Sequence, residues 1–182
     1  MKYFPLRYRL HAEERCLIWI SNEQDSVVVD REGFVPSFRD LIILRRYADQ
    51  NQYKLEPDKS ALHDLDWIVE LNTKRITQLD CKKVLAAWNL FRDVADTIPS
   101  KGIAFHARDS KVIWPIYDKL FWGNNLPAVT PKGEQYVPEW SEDEINSLAE
   151  LLTAGLDLLV SCIRTWPREP SEGSPALKPL VT

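Results

Sequence analysis

The sequence predicts an α+β fold: a small N-terminal antiparallel β-sheet packed with four to five α-helices around a central helix at residues 80–98. Three observations carry this. Residues 2–36 hold strand-like alternation and short apolar runs. From about residue 37 onward the apolar residues recur with helical spacing. Within that second region lies DCKKVLAAWNLFRDVADTI, residues 80–98, whose apolar face is broad enough for other elements to pack against it.

The first strand begins at Tyr3 and Phe4, and its Leu6, Tyr8 and Leu10 alternate with Arg7 and Arg9, the pattern of one wet face. Pro5 places its start at a sheet edge. Residues 16–20 and 26–30 are short apolar runs, joined by the polar, turn-like residues 21–25. Gly33 and Pro36 close the region. Ser37, with Asp40 three residues on, is expected to open a helix to about Asp49 that carries Leu41, Ile42, Leu44, Tyr47 and Ala48. Residues 51–61 read as a loop with a short strand near Tyr53. Asp64 then caps a short helix bearing Leu65, Ile68, Val69 and Leu71, and residues 73–79 lead to the central helix.

In that helix Val84, Ala87, Trp88, Leu90, Phe91, Val94, Ala95 and Ile98 gather on one face, with Leu85 the exception. Asp80 is its N-cap and Pro99 stops it. Residues 100–109 read as loop or strand around the apolar Ile103 and Phe105. A helix over 111–122 follows, which Pro115 restricts to a start near Trp114. GNNLPAVTPKGEQYVPE, residues 123–139, is a long non-helical excursion that serves either as a site or as a structural wrap. Ser141 and Glu144 form a capping box for an amphipathic helix with Ile145, Leu148, Ala149, Leu152, Leu156, Leu159, Val160 and Ile163 on one face. The expected organisation is one globular domain over 1–165 and a Pro- and Ser-rich tail over 166–182.

The totals limit the function. At 182 residues the chain is sized for one domain. A net charge of −4 argues against direct binding of nucleic acid and suits a basic protein partner. Three scattered Cys give neither a disulfide framework nor a metal pair. The charged N-terminus is not a signal peptide, and no long uninterrupted apolar window marks a membrane span, so a cytoplasmic monomer without membrane contact is expected.

Reaction motifs are missing: there is no P-loop, no Rossmann glycine fingerprint, no G-x-S-x-G elbow and no H-E-x-x-H. His63, Asp64 and Asp66 form one local cluster. It suits a metal-dependent hydrolase, with His63 as base or ligand, or more blandly a helix cap with two surface groups. Cys81 and His106 are a second conceivable pair, a first-turn thiol and a base. No metal or cofactor is expected from either. Acidic groups are better represented, at Glu139, Glu142, Asp143, Glu144 and Glu150 and again at Asp64, Asp66 and Glu70. Helix-dipole complementation explains most of them. The sharper alternative is a docking surface with Trp122, Tyr136 and Trp140 as aromatic anchors, Asn124 and Asn125 beside them, and Glu139, Glu142 and Asp143 as a charged rim. Asp64 and Asp66 complete that partner-binding set. A protein-binding adaptor is a further reading.

KYFPLRYRLHAEERCLIWIS, LHDLD, AWNLFRDVAD and IYDKLFWGNNLPAVTPKGEQYVPEWSEDEI together resemble immunity proteins of contact-dependent growth inhibition and related bacterial polymorphic-toxin systems. The likeness runs over about residues 2–163. It implies a non-enzymatic toxin inhibitor that binds the C-terminal domain of a cognate toxin in the cytoplasm of the producing cell. Many such toxins are nucleases, including ones that cleave transfer RNA. A basic nuclease is therefore the implied partner, and an acidic antitoxin covering its nucleic-acid groove is electrostatically sensible. Interfaces in this family vary from pair to pair, so the resemblance assigns no binding residue.

Overall fold

The computed structural model describes residues 1–57, 61–71 and 79–167. Strand β1 (Lys2–Leu10) pairs antiparallel with β2 (Glu13–Ser21) across a tight turn at His11 and Ala12. Both turn residues have positive φ, 53° and 61°, the conformation that matches hairpin twist but strains a residue with a Cβ. Asp66 compensates by accepting both turn N–H groups, from His11 at 2.5 Å and Ala12 at 2.9 Å. β3 (Ser26–Val27) and β4 (Val35–Phe38) add antiparallel to β2. β5 (His63–Asp64) lies parallel to β1, and β6 (Ile163–Trp166) parallel to β4. The fold is α+β, but its six-stranded sheet is mixed and draws its last strand from the C-terminal side.

Trp166, the first residue of the expected tail, lies inside β6 and packs edge-on to Tyr47 at 5.1 Å. The remainder of the expected tail, from 168 on, lies outside the described residues, as do residues 72–78 of the linker. Ser37 also corrects the reading. It is a β4 residue, 1% exposed, bonded to the Tyr8 hydroxyl at 2.6 Å and the Arg15 Nε at 2.8 Å. Helix α1 (Leu41–Gln50) is capped instead by Asp40, whose carboxylate accepts from Ile43 N at 2.9 Å.

The sheet is covered on both faces. Cys16, Ile18 and Phe38 meet Leu44, Tyr47 and Ala48 of α1 on one side. Leu6, Tyr8, Leu17 and Val35 face the other helices on the opposite side. This two-sided burial is why β2 reads as an unbroken apolar run rather than an alternating one. The second side holds α2 (Asp66–Leu71), α3 (Cys81–Thr97), α4 (Pro99–Gly123) and α5 (Glu142–Cys162). α5 is long and apolar enough to cross a membrane by length and composition, with half of that window buried inside the fold.

α3 occupies the expected place, capped by Asp80 through Lys83 N at 3.1 Å. It touches the sheet, α4 and α5, so even Leu85, outside its apolar face, is buried. α4 differs from expectation: residues 99–123 form one helix, with Pro99 in its first turn and Pro115 in its interior. Pro115 is exposed, so the missing donor costs a hydrogen bond only on the solvent side. Gly102, Phe105, Asp109, Ile116 and Leu120 hold the buried side at helical spacing. Asp109 accepts from Trp88 Nε1 at 2.7 Å and from Arg92 Nη2 at 2.9 Å, fastening α4 to α3.

The closest helix approach is at Gly155 of α5, where a Cβ would stand 2.2 Å from the ring of fully buried Phe91. Overpacking there should cost about 1–3 kcal/mol, more than Ala gains in helix propensity. Gly155→Ala is therefore expected to lower the urea midpoint clearly; an unchanged midpoint would contradict the seating of Phe91 on α5.

Candidate protein-binding site

The excursion between α4 and α5 is held by a few specific contacts. Gly123 crosses the first turn of α3 so closely that a Cβ would lie 2.4 Å from Cys81 Sγ. Asn124 caps α4 through its N–H to Leu120 O at 3.1 Å. Asn125 then reverses the chain at φ 49°. Its side chain donates to Gly123 O and to Tyr136 O, both at 3.0 Å, and accepts from Tyr136 N at 2.7 Å. One amide thus ties the two ends of the loop together.

Lys119 secures the far end. Its Nζ donates to Glu139 O at 2.9 Å and to both Glu144 carboxylate oxygens at 2.6 and 2.9 Å, and it lies 5.6 Å from the Trp140 ring centre. Burial pushes the Glu144 carboxyl up, but Lys119 and the Ser141 N–H outweigh it and hold it below the ordinary value. Ser141 and Glu144 complete the expected capping box. Trp140 is half-buried and packs on the main core.

Asn124, Asn125, Tyr136 and Trp140 line a cleft of about 360 Å³ whose opposite wall is Asp80, Cys81 and Lys82. Val137, 68% exposed, lines it as well, and Trp122 is 47% exposed, with Glu139, Glu142 and Asp143 also at the surface. The arrangement offers apolar anchors and carboxylates, the ingredients of a protein interface. Burial raises the Cys81 thiol, with Asp80 adding to it, the opposite of an activated thiolate. His106 stands 3.3 Å from Asp96, roughly 22 Å along α3 from Cys81 at 1.5 Å per residue. The two do not form a pair.

Asp64 and Asp66 do not line this cleft. Asp66 holds the β1–β2 turn, while Asp64 accepts from Asp66 N at 3.2 Å and stands 3.7 Å from Arg9. His63 is drawn below its ordinary pKa by burial. Among the described residues no group of three His, Cys, Asp or Glu side chains could hold a metal ion. The side chain of Glu70 lies outside the described residues.

Sequence reasoning missed Trp114, 69% exposed, and Ile103, 71% exposed, both on the outer face of α4. Eleven positions apart, they fall within ~20° of each other at 100° per residue. The signal is visible only when residues 99–123 are read as one helix. The chain matches no known protein family, no characterised protein and no solved structure.

Asp66→Ala removes the acceptor for two strained turn amides and should cost about 1–2 kcal/mol. Ala12→Gly in the same background should recover part of that loss, since Gly tolerates φ 61°. Chemical denaturation of the three proteins checks both; no loss on Asp66→Ala would contradict the bracing role.

Proposed function

We propose that this chain is a non-catalytic immunity protein that binds and neutralises the basic C-terminal nuclease domain of a cognate toxin in the cytoplasm. The observation that carries this reading is the braced corner between α4 and α5. There Trp122, Tyr136 and Val137 are exposed beside Glu139, Glu142 and Asp143, while Asn125 and Lys119 fix the loop that presents them. A pre-ordered loop loses little entropy on binding, so its aromatic contacts convert more fully into affinity. The surrounding carboxylates suit a partner whose nucleic-acid groove is basic. The overall charge of −4 agrees in sign.

In this role Trp122 and Tyr136 are the anchors, and Glu139, Glu142 and Asp143 steer association. Trp140 contributes from beneath, as the packed support under Lys119. Trp122→Ala combined with Glu142→Lys changes exposed side chains and should leave the fold intact. Against a toxin domain captured with this chain as bait, the aromatic loss is expected to cost about 2 kcal/mol or more, roughly a thirty-fold rise in Kd. The charge reversal should slow association, most at low salt. The measurement is binding kinetics of parent and variant at two ionic strengths. Unchanged affinity in a folded variant would remove this corner as the interface.

A further inference from the structure

A second cleft, of about 380 Å³, lies between the sheet and α3. Its volume falls in the range of small-molecule sites. Phe4 and Trp19 are cross-strand partners on β1 and β2, with ring centres 5.7 Å apart, and they form an aromatic wall. Leu90 of α3 faces them, and Asp93, one turn further along α3, is also in the lining. His63 lines the cleft too, and burial lowers its pKa, so it brings no positive charge at neutral pH.

Asp93 is the unusual member. Its carboxylate accepts from Trp19 Nε1 at 2.8 Å, a neutral donor. The nearest guanidinium on its own helix, Arg92, is turned to Asp109, bonding both carboxylate oxygens at 2.9 Å. Burial first, then the carboxylates of Asp25 from the β2–β3 turn and Asp96 of α3, push Asp93 up to about 6, against the opposing pull of the Trp19 bond and Arg92. The folded protein therefore holds this proton more tightly than the unfolded chain, whose Asp titrates near 3.8. Stability attributable to Asp93 falls as pH rises from about 4 through 6. A carboxylate that weakens the fold at neutral pH, set at an aromatic wall in an electronegative corner, is complementary to a positive charge on an apolar body.

We propose that the cleft between β1, β2 and α3 binds a small organic cation with an apolar body, its ammonium beside Asp93 and its body between Phe4, Trp19 and Leu90.

The probes are phenethylamine, 2-phenylethanol and phenylacetate, which share a body and differ in head-group charge. Binding is followed by NMR shifts and Trp19-sensitive fluorescence on the full chain. The amine is expected to bind at least ten-fold tighter than the alcohol, and the carboxylate not at all. Amine affinity should rise about tenfold from pH 5 to pH 7, following the ionised fraction of Asp93. Asp93→Asn keeps an acceptor for Trp19 and should erase the amine's advantage while alcohol binding persists. No amine binding at millimolar concentration, equal binding of amine and alcohol, or a pH-independent amine affinity would each overturn the proposal. So would an Asp93→Asn variant that keeps the preference for the amine.

Discussion

The structure depends on how closely α5 and α4 approach α3. Phe91 of α3 is fully buried, and only the absence of a side chain at Gly155 lets α5 settle onto its ring. Because α3 also lies on the sheet, this approach fixes the spacing of the layer that buries Leu6, Tyr8 and Leu17. Interiors packed at crystal-like density do not absorb an extra methyl by small adjustments, so the constraint propagates. At the first turn of α3 the same close approach recurs, where Gly123 passes over Cys81 and directs the α4–α5 excursion across the helix start.

Buried polar groups then select one arrangement of these layers. Asp109 satisfies Trp88 and Arg92 together, which sets the rotation of α4 against α3. Ser37 joins Tyr8 to Arg15, and Arg15 reaches on to Thr165 at 2.9 Å, so strands from both ends of the chain share one polar knot. Leaving Tyr8, Ser37, Trp88 or Asp109 unpaired in the interior would cost more than the bond itself contributes. Burial accordingly raises the Tyr8 hydroxyl, with the bond to Ser37 opposing it.

What was legible in the sequence was local. Asp80 and Ser141 announce their helices because a cap is settled within four residues of its own position. Ser37 misled because its partners, Tyr8 and Arg15, are distant in sequence, and a Ser at a strand end looks like a cap. Pro115 misled because an exposed interior proline kinks or weakens a helix only as far as packing elsewhere allows. β6 was hidden behind a helix pattern that runs straight into it. Within the candidate site, Trp122, Tyr136 and the carboxylates were readable from composition. The bracing by Asn125 and Lys119 was not, since it joins residues eleven to twenty-five positions apart. The bracing role of Asp66 was hidden for the same reason, since it bonds a turn fifty-five residues away.

The proposed role rests on an α+β support whose α4–α5 corner sets exposed aromatic side chains beside carboxylates. Hydrogen exchange of the protein alone and in complex with a basic toxin domain captured with this chain as bait tests the proposed role most directly. The account predicts new protection over residues 122–143, with β1 and the β1–β2 turn unchanged. Protection confined to other surfaces, with this corner exchanging as in the free protein, would contradict it.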